Sequence, residues 1–144
     1  VGSINTAPHS MRQEMKTMVN DFAKSQDLHG RKVGFFHFKQ TALWEQVMFD
    51  SRFSLVPRGY GRTSYHLAET VAMGLVPIFV YTDQPWVPYP ELFKTFGYST
   101  TVSGLPRLLE NLTAMNDSEI MARERTVAAV ARSHFTHAGL MEQI

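Results

Sequence analysis

Apolar positions along this chain switch between helical and strand spacing, and the switches mark its elements. Met11, Met15, Met18, Val19 and Phe22 recur at three- and four-residue intervals and predict a helix over 11–24. Ser10 with Gln13 three residues on is a capping-box pattern at its start. The polar stretch 27–32, with Gly30, breaks that helix. KVGFFHF (32–38) is mostly apolar and β-prone, as a buried parallel strand is. A short helix follows over 41–50, with Leu43, Trp44, Val47 and Met48 on its buried side. Residues 53–56 read as a strand stopped by Pro57. The next helix, 63–73, has Thr63 or Ser64 as cap and Gly74 as its close. A strand over 76–81 leads into PWVPYP (85–90), a stiff proline loop. Then come a strand over 99–102 and a helix over 106–114 with Pro106 in its first turn. Asp117 or Ser118 caps a long helix to about 132, and 134–144 adds a short tail helix. The opening residues 1–3 read as the end of a further strand.

This alternation predicts an α/β domain of Rossmann-like, three-layer type with a mainly parallel sheet and right-handed crossovers. Ligands of such sheets bind beyond the C-terminal ends of the strands. The loop over 57–63 follows a strand, so it is expected on that rim. The 144 residues, 44% apolar and 19% charged, suit one globular domain with its own core. A formal net charge of +1 gives no electrostatic footprint for nucleic acid. No apolar run approaches the ~20 residues of a membrane span. The absence of cysteine excludes disulfides, zinc–thiolate sites and cysteine nucleophiles. VGSINTAPHS lacks the regions of a signal peptide and an initiator Met, so the chain is read as an excised domain or fragment.

The chemistry concentrates in 51–80, which reads as strand, glycine loop, helix, glycine turn, strand. Gly59 and Gly61 allow backbone to approach a ligand and to take positive φ. Arg58 and Arg62 bracket them, and guanidinium groups bind phosphate by paired, charge-assisted hydrogen bonds. Thr63 and Ser64 bring hydroxyls and N–H groups to the start of the helix, where phosphate is favoured. Glu69, four residues after Tyr65, shares its helix face and is an acceptor-only group matched to a ribose diol. The alternative is that RGYG is only a tight turn and Glu69 a surface ion-pair partner. The loop is neither a Walker A sequence nor a GxGxxG fingerprint.

The same stretch resembles the C-terminal half of exostosin-family glycosyltransferases (glycosyltransferase family 47). Their signature is similar to S-x-F-C-L-x-P-x-G, then S-x-R-L-x-E, then G-C-I-P-V. Ser51, Phe53, Leu55, Pro57 and Gly59 match the first part, Ser64, Leu67 and Glu69 the second, and Gly74 and Pro77 the third. The opening VGS with Arg12, the proline loop after Asp83, GYSTTV and the closing HFTHAGLMEQI also resemble family segments, so nearly the whole chain is covered. The resemblance implies the donor-binding half of a GT-B enzyme, two Rossmann-like domains facing across a cleft. It implies a nucleotide-sugar donor, usually a UDP-sugar, transferred with inversion to a polysaccharide or glycoprotein acceptor. It further implies no tightly bound cofactor, no required metal, and a Golgi type II membrane protein whose N-terminal half holds most of the acceptor site.

By the resemblance, 58–64 is the phosphate loop and Glu69 the ribose acceptor. The catalytic base belongs to the other half, so no catalytic residue is named and this chain alone is expected not to transfer sugar. Three positions depart from the signature. Ser54 and Leu75 stand where the family has Cys, and His66 stands where it usually has Arg. His66 is expected either to serve the phosphate as a cation or donor beside Arg58 and Arg62, or to mark a decayed site. That second possibility gives the competing reading, a non-catalytic scaffold or partner subunit of the same family. A third reading, a response-regulator-like module, lacks the clustered acidic pocket it needs.

Other candidates carry less. His134 and His137 have a spacing metals use, but no third ligand stands at a matching offset. His37 reads as a core or rim histidine that faces the expected cleft. Ser64 has no His–Asp partners in RTSYH. Trp86 and Tyr89 either stack on a base or sugar or anchor the proline loop. Asn111 and Asn116 each begin an N-glycosylation sequon, the first within a predicted helix.

Overall fold

The structure is a computed structural model, and it describes residues 10–28, 42–136 and 141. The strands are β1 (Phe53–Pro57), β2 (Val76–Tyr81) and β3 (Tyr98–Thr101), parallel and in that spatial order. Leu55 lies opposite Ile78 and Pro57 opposite Val80, which in turn pairs with Thr100. Six helices accompany them among the described residues: α1 (Met11–Leu28), α2 (Trp44–Phe49), α3 (Tyr65–Ala72), α4 (Pro90–Phe96), α5 (Leu105–Ala114) and α6 (Asp117–His134).

Both faces of the sheet are covered. On one, Ile78 and Val80 pack against Met11, Met15, Val19 and Phe22 of α1 and against Leu105, Leu109 and Leu112 of α5. On the other, Val56 and Phe79 pack against Leu67 and Val71 of α3, Phe93 and Phe96 of α4, and Val127 and Val130 of α6. The central strand therefore meets protein on both sides, which is why VPIFVY is apolar throughout rather than alternating. Each fully buried side chain of this size contributes about 1.5–3 kcal/mol by leaving water. The parallel sheet with helices on both faces is the three-layer α/β arrangement expected from the sequence.

Local sequence explains most boundaries. α3 closes in a Schellman turn: Gly74, at φ 81, donates to Val71 O, and Leu75 donates to Thr70 O. α6 opens on a full capping box, in which Asn116 Oδ1 accepts from Glu119 N and Glu119 Oε2 accepts from Asn116 N. The cap is thus Asn116, not Asp117 or Ser118, because its side chain reaches the third residue of the helix.

The structure corrects four other expectations. α1 runs to Leu28 rather than 24, through residues whose polarity suggested a break. Leu43 is exposed rather than buried; on α2 only Met48 is fully buried. β3 begins at Tyr98, one residue early. The proline loop does not simply end in β3 but starts α4, with Pro90 in the first turn. Tyr89 adopts φ 50 just before it, held by edge-on contacts of its ring with His134 at 4.9 Å and Phe135 at 6.4 Å. Tyr89 is therefore an anchor of the loop on the end of α6. The strands expected over 1–3 and 32–38, with His37, and most of the tail helix, with His137, lie outside the described residues.

Candidate functional site

The loop predicted to carry the chemistry leaves the sheet at the C-terminal end of β1. Arg58 N extends the ladder by donating to Val80 O at 2.9 Å. The loop then closes on itself, with Gly59 N donating to Thr63 O at 2.8 Å and Arg62 N to Gly59 O at 3.3 Å. Gly59 is required by close approach, since a Cβ there would lie 2.9 Å from the Thr63 carbonyl oxygen. The expectation of positive φ at Gly59 and Gly61 is corrected. Arg62 takes the left-handed conformation instead, at φ 68, and a Cβ on Gly61 would meet open space. Holding a non-glycine residue there costs on the order of 1–2 kcal/mol, a strain the surrounding contacts must offset. Ser64 is the N-cap of α3 in extended conformation, and its side chain makes no capping hydrogen bond. Among the described residues no side-chain oxygen caps the N–H groups of the opening turn of α3, and Thr63 is not the cap.

Arg58 and Arg62 converge on one carboxylate. Arg58 Nη1 donates to Asp83 Oδ1 at 2.7 Å and to Thr82 Oγ1 at 3.2 Å, and Arg58 Nε donates to the Gly59 carbonyl at 3.3 Å. Arg62 Nη2 approaches Asp83 Oδ2 at 3.2 Å. The Arg58 side chain is 9% exposed, whereas those of Arg62 and Asp83 are open to solvent. The Gln84 backbone N–H, followed by Arg62 and Arg58, holds the Asp83 carboxyl below its ordinary range. Two cations and one anion thus meet on the rim of the sheet. Half-buried Arg12 of α1 stands near the exposed Tyr60 of the loop, and burial draws its guanidinium below its ordinary value.

A second network crosses from strand to helix. Ser54 Oγ lies 3.0 Å from His66 Nε2, and His66 Nδ1 lies 3.0 Å from Glu69 Oε2. An ionised carboxylate only accepts, so Nδ1 carries the proton, and in the neutral ring Nε2 accepts from the Ser54 hydroxyl. Hydroxyl, imidazole and carboxylate stand in the order of a nucleophile relay. Ser54, however, is 7% exposed, and its Oγ rests 3.7 Å from the sulfur of buried Met48. Its oxygen is not presented to a substrate, so the chain of bonds orients its members and does not attack.

The structure therefore brings Arg58, Gly59, Arg62 and Thr63 into one closed loop, and His66 with Glu69 into a separate pair on α3. Sequence reasoning missed Asp83, Thr82 and Ser54. Asp83 and Thr82 directly follow β2 on the same rim as the loop, and that position was the available signal. Among the described residues, no group of His, Asp or Glu side chains is gathered to hold a metal. No described helix is long and apolar enough to cross a membrane. No protein-family model matches this chain, and no curated protein matches it.

Proposed function

We propose that this chain is the donor-binding domain of an exostosin-like, GT-B glycosyltransferase, holding a UDP-sugar for inverting transfer to a polysaccharide or glycoprotein acceptor. The observation that carries the reading is the surplus of positive charge at Arg58 and Arg62, on the loop that leaves the C-terminal edge of β1. A diphosphate offers oxygens spaced for two guanidinium groups, and its charge grows as the sugar departs. Arg58 and Arg62 would stabilise that leaving group, and Glu69 would accept from the ribose hydroxyls. The sequence resemblance over 51–80 supports a nucleotide sugar as the ligand. In this reading the acceptor site and the catalytic base lie on a partner domain, and the whole enzyme works in the Golgi lumen.

Calorimetric titration with UDP and UMP tests it. The expected Kd for UDP is on the order of 0.1–1 mM, because a single domain supplies half of a cleft. UMP is expected to bind at least about tenfold more weakly for lack of the second phosphate. Arg58→Ala and Glu69→Ala should each lose binding. One observation favours the alternative of a non-catalytic relative: Arg58, Arg62, His66 and Glu69 are all paired within the protein. A folded wild-type protein that ignores UDP would select that alternative.

A further inference from the structure

We propose that His66, braced by buried Ser54, is a positioning residue that fixes the Glu69 carboxylate for a ribose diol; this rests on the donor-site reading above. The Glu69 side chain is 53% exposed, and a free glutamate on a helix surface samples many rotamers. Here its Oε2 is tied to a ring that is 16% exposed and bonded at its far side to the strand. The anchor is firm because Ser54 sits on β1, within the sheet, and not on another mobile surface group. Among the described residues, Glu69 Oε1 takes no hydrogen bond and is the oxygen left for a ligand.

A histidine at this position thus has a function distinct from that of an arginine. Arginine would add a fixed positive charge beside the phosphate loop. The imidazole instead joins a buried hydroxyl to a carboxylate through its two opposed nitrogens. The consequence is selectivity for the sugar of the nucleotide rather than affinity for its phosphates. Immobilising one such side chain in advance corresponds to roughly a 3- to 10-fold gain in binding of the group it contacts.

The test titrates the protein with three probes: UDP, 2′,3′-dideoxyuridine diphosphate and inorganic pyrophosphate. Wild type should prefer UDP over the dideoxy analogue roughly tenfold, and Glu69→Gln should reduce that ratio. His66→Leu should bring the ratio down about 3- to 10-fold with pyrophosphate affinity unchanged. His66→Asn, whose amide N–H replaces Nδ1–H, should keep part of the preference, and Ser54→Ala should weaken it, each variant checked for folding by thermal melt. A ribose preference that survives intact in both His66→Leu and Ser54→Ala overturns the positioning role alone. Equal binding of UDP and the dideoxy analogue by wild type also overturns it while the phosphate site stands. Failure of folded wild type to bind either UDP or pyrophosphate removes the donor-site reading and this inference with it.

Discussion

The two ends of β1 carry arginine–carboxylate clusters with opposite charge balance. At the start of the strand, Arg52 donates to both oxygens of Glu124, at 2.8 and 3.2 Å, and to Asp117 at 2.7 Å. One cation there meets two anions, and Glu124 first, then Asp117, pushes the Arg52 pKa up. At the far end, Arg58 and Arg62 share Asp83, so two cations meet one anion. The first cluster joins the strand to α6 and has no cation to spare. The second stands at the edge where parallel sheets bind ligands, and it keeps a positive surplus. Under the proposed reading, the same residue types act as a clamp at one end and as an anion receptor at the other, and charge balance and position decide which.

Arg58→Ala should break the contrast most severely. It removes the less exposed arginine of the receptor end, leaves Thr82 Oγ1 without its donor and strips Asp83 of its shorter guanidinium contact, so UDP binding should fall more than about tenfold and stability by about 2 kcal/mol. Calorimetry and a denaturant titration read the two effects separately. Gly59→Ala should come next. Its Cβ presses on the Thr63 carbonyl, so the loop must open, at about 1 kcal/mol and a several-fold loss of UDP affinity. Gly61→Ala, facing open space, is the control and should stay within about 0.5 kcal/mol of wild type.

Arg52→Ala sharpens the comparison from the other end. It should lower stability by about 1 kcal/mol, less in high salt, and leave UDP affinity within about twofold. The smallest effect belongs to Asp83→Asn. The folded-state pKa of Asp83 is depressed from the ordinary value of 3.8, so its contribution is present above that value. As pH falls below it, the unfolded state takes up the proton first, and the contribution is lost through the folded pKa. Acid unfolding of Asp83→Asn should accordingly show a shallower decline than wild type in that window.

Legibility in the sequence followed the range of the forces involved. VPIFVY was readable because burial on both faces leaves a continuous apolar run, and Gly74 because one residue type suits that turn. α4 was not, since Pro85, Pro88 and Pro90 signal loop by local rules while Pro90 also suits a first helical turn. What settles the case is Tyr89 packed on His134 and Phe135, some forty-five residues away and invisible to any window. The candidate site divides in the same way. Arg58, Arg62, His66 and Glu69 were named from spacing and resemblance. Asp83 depends on the register that sets Pro57 opposite Val80, and Ser54 on how α3 lies over β1. The left-handed residue of the loop was misplaced because glycines suggested it, whereas the close contact of Gly59 N with Thr63 O pushes the turn onto Arg62.

The most direct measurement is a titration of isotope-labelled protein with UDP, followed by amide chemical shifts. The expected result is a set of saturable shifts confined to Arg58, Gly59, Arg62, Ser64, Asp83 and α3 from Tyr65 to Glu69, with Arg52, Asp117 and Glu124 unmoved. Shifts centred on Arg52, or none anywhere at several millimolar UDP with the protein folded, would contradict the assignment of the receptor end.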